Sequence, residues 1–157
     1  MIVVSDTTAI TNLLAIDRAD LLREVFGEVF VPTAVARELL AAHPSLPDFL
    51  HSSEAQDREA VRALVSARLD QGEAEAIVLT EELDADFLLI DESDGRALAR
   101  QRGLAVIGLI GVLRRAKNDG LIPAMAPIIR ELETTANFWI SATIRNQALA
   151  DAGELPP

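Results

Sequence analysis

Short apolar segments that end on an acidic residue constrain the fold of this chain more than any other feature. Residues 2–5 lead directly into Asp6, and the stretch DFLLID ends on Asp91. The segments EVFV, at 28–31, and LAVIG, at 104–108, are also short and largely apolar. Apolar strands without polar alternation are typical of a parallel sheet that is buried on both faces. The chain is therefore predicted to place several buried strands side by side.

Helical patterns separate these predicted strands. Leu21, Leu22 and Phe26, for example, recur at the spacing of one helix face. Predicted helices cover residues 17–26, 33–42, 54–69, 73–83 and 93–102, another is capped by Thr7 or Thr8, and three follow from about residue 109. Residues 43–53, with two prolines and two histidines, are predicted to be a loop. The alternation predicts an α/β fold, in which helices cover both faces of a central parallel sheet of about four strands.

Composition limits the kind of protein this can be. The 157 residues are expected to form one domain, with a helical C-terminal tail from about residue 109. No apolar run approaches the ~18 residues of a membrane helix, and no secretory signal is visible at the start. The absence of cysteine excludes disulfides, thiolate nucleophiles and cysteine zinc sites. We therefore expect a soluble, cytoplasmic protein whose last residues, GELPP, are frayed.

The strongly acidic charge bears on nucleic-acid binding. The formal net charge of the chain is −11, and all but one of its 14 basic residues are arginine. Non-specific nucleic-acid affinity rests mostly on lysine and arginine, so RNA would be repelled at long range. A bound divalent cation reverses the local field, however, and arginine can bind a phosphate through two hydrogen bonds. Local phosphate contacts therefore remain compatible with this composition.

Four acidic residues are predicted to converge at one edge of the sheet. Asp6 and Asp91 each follow an apolar strand, and the carboxyl ends of parallel strands form the ligand-binding edge of such sheets. Glu38 lies in the helix after the second predicted strand, and Glu73 lies in the first turn of the helix before the third. Clustered carboxylates raise each other's pKa, and a hard cation such as Mg²⁺ relieves that repulsion. The cluster therefore predicts a divalent-metal site that could act on a phosphodiester.

Each of these acids also has a purely structural interpretation, and the sequence leaves both open. Asp6 can cap the first helix, Asp91 can begin a turn, and Asp94 can occupy the first turn of the following helix. Glu38 can face solvent, as a lone glutamate on a helix commonly does, and Glu73 can be a helix-start acid without a ligand role. Two acids at strand ends in one sheet indicate a metal site more specifically than any one of these acids does alone.

The motifs around these acids resemble the PIN domain, a family of metal-dependent ribonucleases. IVVSDTTAITNLL looks like the first motif of that family, in which Asp6 is followed two residues later by Thr8. VPTAVARELL resembles the second motif and contains Glu38. Glu73 lies 18 residues before Asp91, which is similar to the spacing between the third and fourth acids of the family. The resemblance therefore covers most of the chain.

A more specific resemblance is to a PIN subfamily that is catalogued only as a domain of unknown function. Its members look like this chain at the stretch GEAEAI and at the positions of Asn12, Gly72, Arg96 and Gly108. Many PIN relatives are toxins of bacterial toxin–antitoxin pairs, similar to the VapC toxins, and relatives commonly dimerise. The resemblance implies a three-layer sandwich, Mg²⁺ or Mn²⁺ as cofactor, an RNA substrate, an antitoxin partner and a homodimer. Cleavage of RNA by such an enzyme leaves a 5′-phosphate and a 3′-hydroxyl.

The resemblance also suggests how the acids divide their roles. Asp6 and Asp91 are expected to bind the metal directly, with Asp94 as an additional candidate ligand. Glu38 and Glu73 are expected to act through water or to complete a second, weaker metal site. Many PIN nucleases have aspartate as the third acid, and the longer side chain of Glu73 can still reach a metal.

Three polar residues are candidates for supporting the site or binding substrate. Thr8 can hydrogen-bond a ligand carboxylate or a metal-bound water, or simply cap the first helix. Asn12 lies one helical turn beyond Thr8 and can support the same site. Arg96 can contact a substrate phosphate or pair with Asp94, and pairing is the favoured interpretation.

Other functional classes fit the sequence less well. A phosphotransfer receiver needs a lysine late in the sheet, whereas Lys117 lies well past the fourth predicted strand. The Asp-x-Asp motif of phosphatases is missing after Asp6, and no glycine-rich nucleotide-binding pattern occurs. The main alternative is a non-catalytic PIN scaffold whose aliphatic helices bind a partner protein. Phe138 and Trp139 are predicted to lie in the core or at an interface rather than to stack on bases.

Overall fold

Five parallel strands form the central sheet of the computed structural model, which describes residues 1–154. The strands are β1 (Val3–Ser5), β2 (Val29–Pro32), β3 (Leu50–Ser53), β4 (Phe87–Leu89) and β5 (Val106–Ile107). Their order in the sheet is β3-β2-β1-β4-β5, and all four neighbouring pairs are parallel. The central strand is β1, in which Ser5 lies opposite Leu89 of β4.

Nine helices connect and follow these strands within the described residues. They are α1 (Thr7–Ala15), α2 (Asp20–Phe26), α3 (Thr33–Ala42), α4 (Arg58–Ser66), α5 (Gln71–Glu82), α6 (Ser93–Gln101), α7 (Leu109–Asn118), α8 (Ala126–Thr135) and α9 (Ala142–Asp151). The three helices expected from Leu109 are present, with breaks where the sequence predicts them. None of the nine is both long and apolar enough to cross a lipid bilayer.

The helices bury both faces of the sheet. Val3 and Val4 are fully buried, and their side chains contribute to two different apolar clusters. One cluster joins the sheet to α1, α2, α3, α7 and α8, and the other joins it to α4, α5 and α6. Because successive residues of a strand point to opposite faces, this division places one helical layer on each side. The predicted α/β three-layer sandwich is confirmed.

The sheet has one strand more than the sequence predicts. Residues 50–53 were predicted to be part of a loop, but they form β3, which pairs with β2 along its whole length. This strand lies at the edge of the sheet, and only Leu50 in it is buried. Its sequence, LHSS, lacks the apolar run that marks a strand buried on both faces. The predicted loop is therefore wrong at its C-terminal end.

Local hydrogen bonds and dihedral angles move several predicted helix ends. Helix α2 begins at Asp20 rather than at Asp17, whose φ of 56° is incompatible with a right-handed helix. Helix α4 begins at Arg58 because the side chain of Asp57 accepts a hydrogen bond from Ala60 N at 3.1 Å and so caps the helix. These shifts leave the buried faces of the helices unchanged.

The C-terminal end of the described chain is anchored. Glu154 accepts hydrogen bonds from the backbone N–H groups of Met125 and Ala126 at the start of α8, and from Lys117 Nζ at 2.8 Å. These contacts hold the pKa of Glu154 below its usual range although burial opposes them. The predicted fraying is therefore wrong for Glu154 and for Gly153, whose N–H donates to Ala150 O at 3.0 Å, and residues 155–157 of that prediction lie outside the described residues.

The strand order reverses beside β1. The chain builds β2 and β3 on one side of β1 and then returns to build β4 and β5 on the other side. Ligands of open parallel sheets bind at such a switch point, at the carboxyl ends of the strands. Asp6 follows β1, and Asp91 follows β4 after one further residue. Both predicted strand-end acids therefore lie at the switch point.

Candidate functional site

Asp6 is held at the switch point by the backbone between two central strands. Its N–H donates to Leu89 O at 3.1 Å, which extends the pairing of β1 and β4 by one residue. Asp6 occupies the N-cap position of α1, yet its side chain makes no capping hydrogen bond. The residue is only 4% exposed. The carboxylate lies close enough to the N–H of Thr8 for that group to oppose the rise of its pKa, but the geometry falls short of a capping hydrogen bond.

Glu73 is held by a capping box at the start of α5. Asp70 Oδ1 accepts a hydrogen bond from Glu73 N at 2.7 Å, and Glu73 Oε1 accepts one from Asp70 N at 3.2 Å. This reciprocal pair satisfies two backbone donors at the helix start and orients the Glu73 side chain. The other carboxylate oxygen, Glu73 Oε2, remains free to serve the site.

Asp91 caps a helix while it faces the same edge of the sheet. Its Oδ1 and Oδ2 lie 3.1 and 3.3 Å from Leu109 N, at the start of α7. Burial raises the pKa of Asp91, and the Leu109 N–H group and the positive charge of Arg96 offset a part of that effect. Asp91 therefore has a structural role in addition to its place at the site.

An acidic cleft of about 270 Å³ opens at this edge of the sheet. It collects side chains from the end of β1, from the second turn of α3, and from the starts of α1, α5 and α6. At the starts of α5 and α6 the helix favours negative charge. The lining residues are Asp6, Thr7, Thr8, Glu38, Arg68, Leu69, Asp70, Gly72, Glu73, Glu92 and Asp94. Six of these eleven residues are acidic, so the cleft carries a concentrated negative charge.

Two acids of the cleft, Asp6 and Glu73, resist ionisation. Burial, together with the charges of Asp91, Glu73 and Asp70, raises the pKa of Asp6 to about 8. Burial and interactions with Asp70 raise the pKa of Glu73 to about 7. Both values are far above the ordinary range of carboxyl groups, because each negative charge is desolvated and lies near others. A cation in the cleft would favour the ionised carboxylates and so offset both effects.

Two buried carboxylate oxygens in the cleft have no partner. Asp6 Oδ1 and Glu73 Oε2 are inaccessible to solvent and make no hydrogen bond within the described part of the chain. An unsatisfied buried polar atom costs about 1–3 kcal/mol, and more if it is charged. Such atoms are rare in folded proteins and call for a missing partner.

A family model described as a PIN domain matches residues 2–154. The chain belongs to the PIN-domain family. PIN domains are generally nucleases, and they generally use divalent metal ions. No curated protein sequence matches this chain.

The PIN acids suggested by the sequence do not all occupy one depression. Asp6, Glu38, Glu73 and Asp94 line the acidic cleft, and Glu38 and Asp94 do so as exposed side chains. Asp91 instead lines an adjoining groove of about 860 Å³. The two depressions meet, because Thr8 and Glu92 line both of them. Asn12 and Arg96 line the groove with Asp91.

Two glycines of this PIN domain allow close approach to the acids. A Cβ atom on Gly95 would lie 2.9 Å from Glu73 Oε2, and one on Gly108 would lie 2.7 Å from Asp91 Oδ1. The same point on Gly108 is 2.8 Å from Arg96 Nη1. Any side chain at either position would therefore have to displace one of the site residues.

The residues fit a hard divalent cation that retains part of its hydration shell. Within residues 1–154, no three acidic, histidine or cysteine side chains are arranged closely enough to hold a metal by themselves. Mg²⁺ prefers oxygen ligands, keeps several waters and is commonly bound through one or two carboxylates. The unpartnered oxygens of Asp6 and Glu73 are donors that can bind such an ion directly or through one of its waters. The donor set therefore suits Mg²⁺ or Mn²⁺ rather than a metal that prefers nitrogen or sulfur.

Several site residues were missed by the sequence analysis. Asp70, Glu92 and Arg68 line the acidic cleft. Asp70 carries a readable signal, since an N-cap residue followed by glutamate three positions later marks a capping box. Glu92 and Arg68 carry no comparable local signal.

One prediction about a side-chain pair is wrong, and for Trp139 one of the two predicted alternatives, core or interface, is excluded. The ion pairs within residues 1–154 do not include the favoured pair of Arg96 with Asp94. Trp139 is 82% exposed and so does not lie in the core of this chain. Both residues depend on tertiary packing around the groove, which sequence spacing does not describe.

Proposed function

We propose that this PIN domain is a divalent-metal-dependent endoribonuclease. The observation that supports this function is the pair of buried, unpartnered carboxylate oxygens of Asp6 and Glu73 at the sheet's switch point. Asp6 and Asp91 would hold Mg²⁺ or Mn²⁺, with Asp94 as a further ligand at the rim of the cleft. A bound ion of this kind supplies a water for attack on a phosphodiester and stabilises the charge that develops there.

The chain's own residues have separate tasks in this proposal. Glu38 and Glu73 hold and orient water through their carboxylates. Thr8 and Asn12 position the substrate where the cleft and the groove meet. Arg96 contacts a phosphate of the substrate. The products would carry a 5′-phosphate and a 3′-hydroxyl.

Cleavage of short single-stranded RNAs tests this function. We expect the purified protein to cleave with Mg²⁺ or Mn²⁺, and we expect EDTA or the double change Asp6→Asn/Asp91→Asn to abolish cleavage. Glu81→Gln is the matched control, because Glu81 lies on α5 and pairs with Arg102 away from the cleft. Unchanged cleavage by the double variant, or in EDTA, would contradict the proposal.

We further propose that the chain is the toxin of a toxin–antitoxin pair, acts in the cytoplasm and forms a homodimer. This finer assignment is supported only by the resemblance of its motifs to such PIN relatives. Growth arrest on expression of the wild type, but not of Asp6→Asn/Asp91→Asn, would support toxicity. A monomer at micromolar concentration in light scattering would contradict the dimer.

The second candidate is a non-catalytic PIN scaffold that binds a protein partner. The exposed apolar side chains of Trp139 and Ile144 favour it, because apolar groups left in solvent commonly mark a contact surface. Absence of metal-dependent cleavage across a broad pool of RNAs would favour this function over the nuclease.

A further inference from the structure

The groove beside the acidic cleft has the size of a site for a small organic ligand. Its volume of about 860 Å³ lies within the ~300–1,000 Å³ typical of such sites. It begins at Thr8 and Glu92, which also line the cleft, and it ends at the connection between α8 and α9. A ligand in the groove would therefore extend directly from whatever is bound at the acids.

The walls of the groove combine an aromatic surface with polar groups. Trp139 is 82% exposed, so its ring is accessible to a ligand. The adjacent Phe138 is half-buried against the core and anchors this part of the chain. The apolar wall continues through aliphatic side chains. The polar side chains around it belong to Asn12, Ser93, Asn137 and Ser141. This combination suits a flat heterocycle whose edge carries hydrogen-bonding groups.

One cation lines the groove, and it lies next to the acids. Arg96 has no ion pair within residues 1–154, so its guanidinium remains available for an anionic ligand. Its Nη1 lies 2.8 Å from the point where a Cβ on Gly108 would be, and Asp91 Oδ1 lies 2.7 Å from the same point. A phosphate that contacts Arg96 would therefore lie where the groove meets the acidic site.

We propose that this groove, here called the Trp139 groove, binds an unpaired nucleobase next to the phosphodiester that the acidic cleft holds. Trp139 stacks on the base, and Arg96 contacts a neighbouring phosphate. The proposal rests on the proposed nuclease function, because it names the part of the RNA that this site selects. A base inside a duplex cannot enter the groove without unstacking, so the substrate is single-stranded.

Charge favours stacking as the source of affinity. The chain has a net charge of −11, and Arg68 and Arg96 are the two cations that line the cleft and the groove. Affinity from phosphate contacts therefore has to be small, whereas stacking on an aromatic ring works with any base. A plot of the logarithm of the binding constant against the logarithm of salt concentration should have a slope no steeper than roughly −1.4. This is the slope for two phosphate contacts on a single strand.

Trp139 reports on the groove directly, because it is the only tryptophan of the chain. The experiment uses the full chain with Asp6→Asn, which should prevent cleavage and leaves the groove residues unchanged. The probes are a single-stranded tetramer of adenosine nucleotides, an abasic tetramer of ribose phosphates, and a blunt RNA duplex. We expect saturable quenching of Trp139 fluorescence by the adenosine tetramer, and at least fivefold weaker binding of the other two probes.

Variants at Trp139 separate stacking from a general structural effect. Anisotropy of a labelled adenosine tetramer should show about 5- to 150-fold weaker binding by Trp139→Ala, the range expected for one base–aromatic contact. Trp139→Phe retains a ring and should recover much of the affinity. Leu40→Ala is the matched control, because Leu40 is also a large exposed apolar residue but lies outside the groove.

Three results would overturn the proposal. The first is equal affinity for the abasic and adenosine tetramers, and the second is unchanged binding by Trp139→Ala. The third is Trp139 fluorescence that does not change when the tetramer is added but shifts with protein concentration. A second copy of the chain would then cover the groove. Cleavage is measured separately on the wild type. Loss of stacking with intact cleavage contradicts the groove alone, whereas stacking without cleavage contradicts the nuclease function alone.

Discussion

Two glutamates on α5 have opposite electrostatic environments although both are buried. Glu73 is 8% exposed and Glu75 is 4% exposed. Glu75 Oε1 accepts a hydrogen bond from Ala34 N at 3.0 Å, and its Oε2 accepts from Gln71 at 2.7 Å and from Arg58 at 3.2 Å. Glu73 Oε2 has no partner. Burial opposes ionisation of Glu75, but its hydrogen bonds hold its pKa below the usual range, whereas the pKa of Glu73 is raised to about 7.

The difference separates an acid that stabilises the fold from an acid that is available for function. Glu75 joins three helices, because its partners lie at the starts of α3 and α4 and in the first turn of α5. Glu73 faces the acidic cleft, where the nearby charges are also negative. A buried carboxylate therefore indicates a ligand site only when its own chain leaves it unsatisfied.

The largest expected effect is the difference in stability between two single variants, Glu75→Gln and Glu73→Gln. Glu75→Gln should lower the free energy of unfolding by about 2 kcal/mol, because it weakens the charge-assisted hydrogen bonds of a buried carboxylate. Glu73→Gln should leave the metal-free protein equally stable or more stable, because it removes a repelled charge. Urea denaturation in EDTA measures both. Equal destabilisation by the two variants would break the comparison.

The pH dependence of stability should also separate the two environments. The folded-state pKa of Asp6, about 8, lies above its ordinary value of 3.8, so between these values the folded state holds a proton that the unfolded state releases. The free energy of unfolding of the metal-free protein should therefore fall as pH rises from about 4 to 8, by up to about 1.4 kcal/mol per pH unit for one group. The raised pKa of Glu73 acts in the same direction.

Urea denaturation in EDTA at pH 5 and pH 8 measures this slope. Asp6→Asn should remove a large part of it. Glu75→Gln should leave it in place, because the stability that Glu75 contributes is present above its ordinary pKa and is lost only as pH falls through its lowered folded-state pKa. A flat profile for the wild type between pH 5 and pH 8 would contradict the unsatisfied charge at Asp6.

The smallest expected effect on stability is that of Gly72→Ala. Gly72 lies in the first turn of α5, where alanine favours the helix by up to about 1 kcal/mol. Its new Cβ would lie 3.1 Å from Glu38 Oε1, which is the end of an exposed side chain that can move, and 3.3 Å from Cγ2 of the buried Val35. The contact with Val35 offsets the gain in helix propensity, so stability should change by less than about 1 kcal/mol. RNA cleavage should fall severalfold, because Glu38 is displaced. Unaltered cleavage would remove Glu38 from the proposed site.

The placement of two acids at the sheet edge could be predicted, because short stretches of sequence show which strands are buried. Asp6 and Asp91 follow continuous apolar strands, and the parallel topology then requires both to reach one edge. The strand β3 could not be predicted in this way, because an edge strand is buried on one side only and its polar residues resemble a loop. The capping box of Asp70 and Glu73 was readable in principle from its spacing.

The groove could not be predicted because its residues come from distant parts of the chain. Asn12, Arg96 and Trp139 lie on α1, on α6 and before α9, and only the packed fold brings them together. The exposure of Trp139 contradicts the usual burial of a large aromatic residue. The guanidinium of Arg96 likewise lies beside Gly108 and close to Asp91, and not in an ion pair with Asp94, its neighbour in sequence.

A thermal melt with and without Mn²⁺ tests the central claim most directly. A ligand that binds only the folded state must raise the melting temperature, by about 5–10 °C at roughly 100 times its dissociation constant for a chain of this size. We predict this increment for the wild type and for Glu75→Gln, and none for Asp6→Asn/Asp91→Asn. No increment in the wild type at millimolar metal, or the same increment in the double variant, would contradict a metal site built on Asp6 and Asp91.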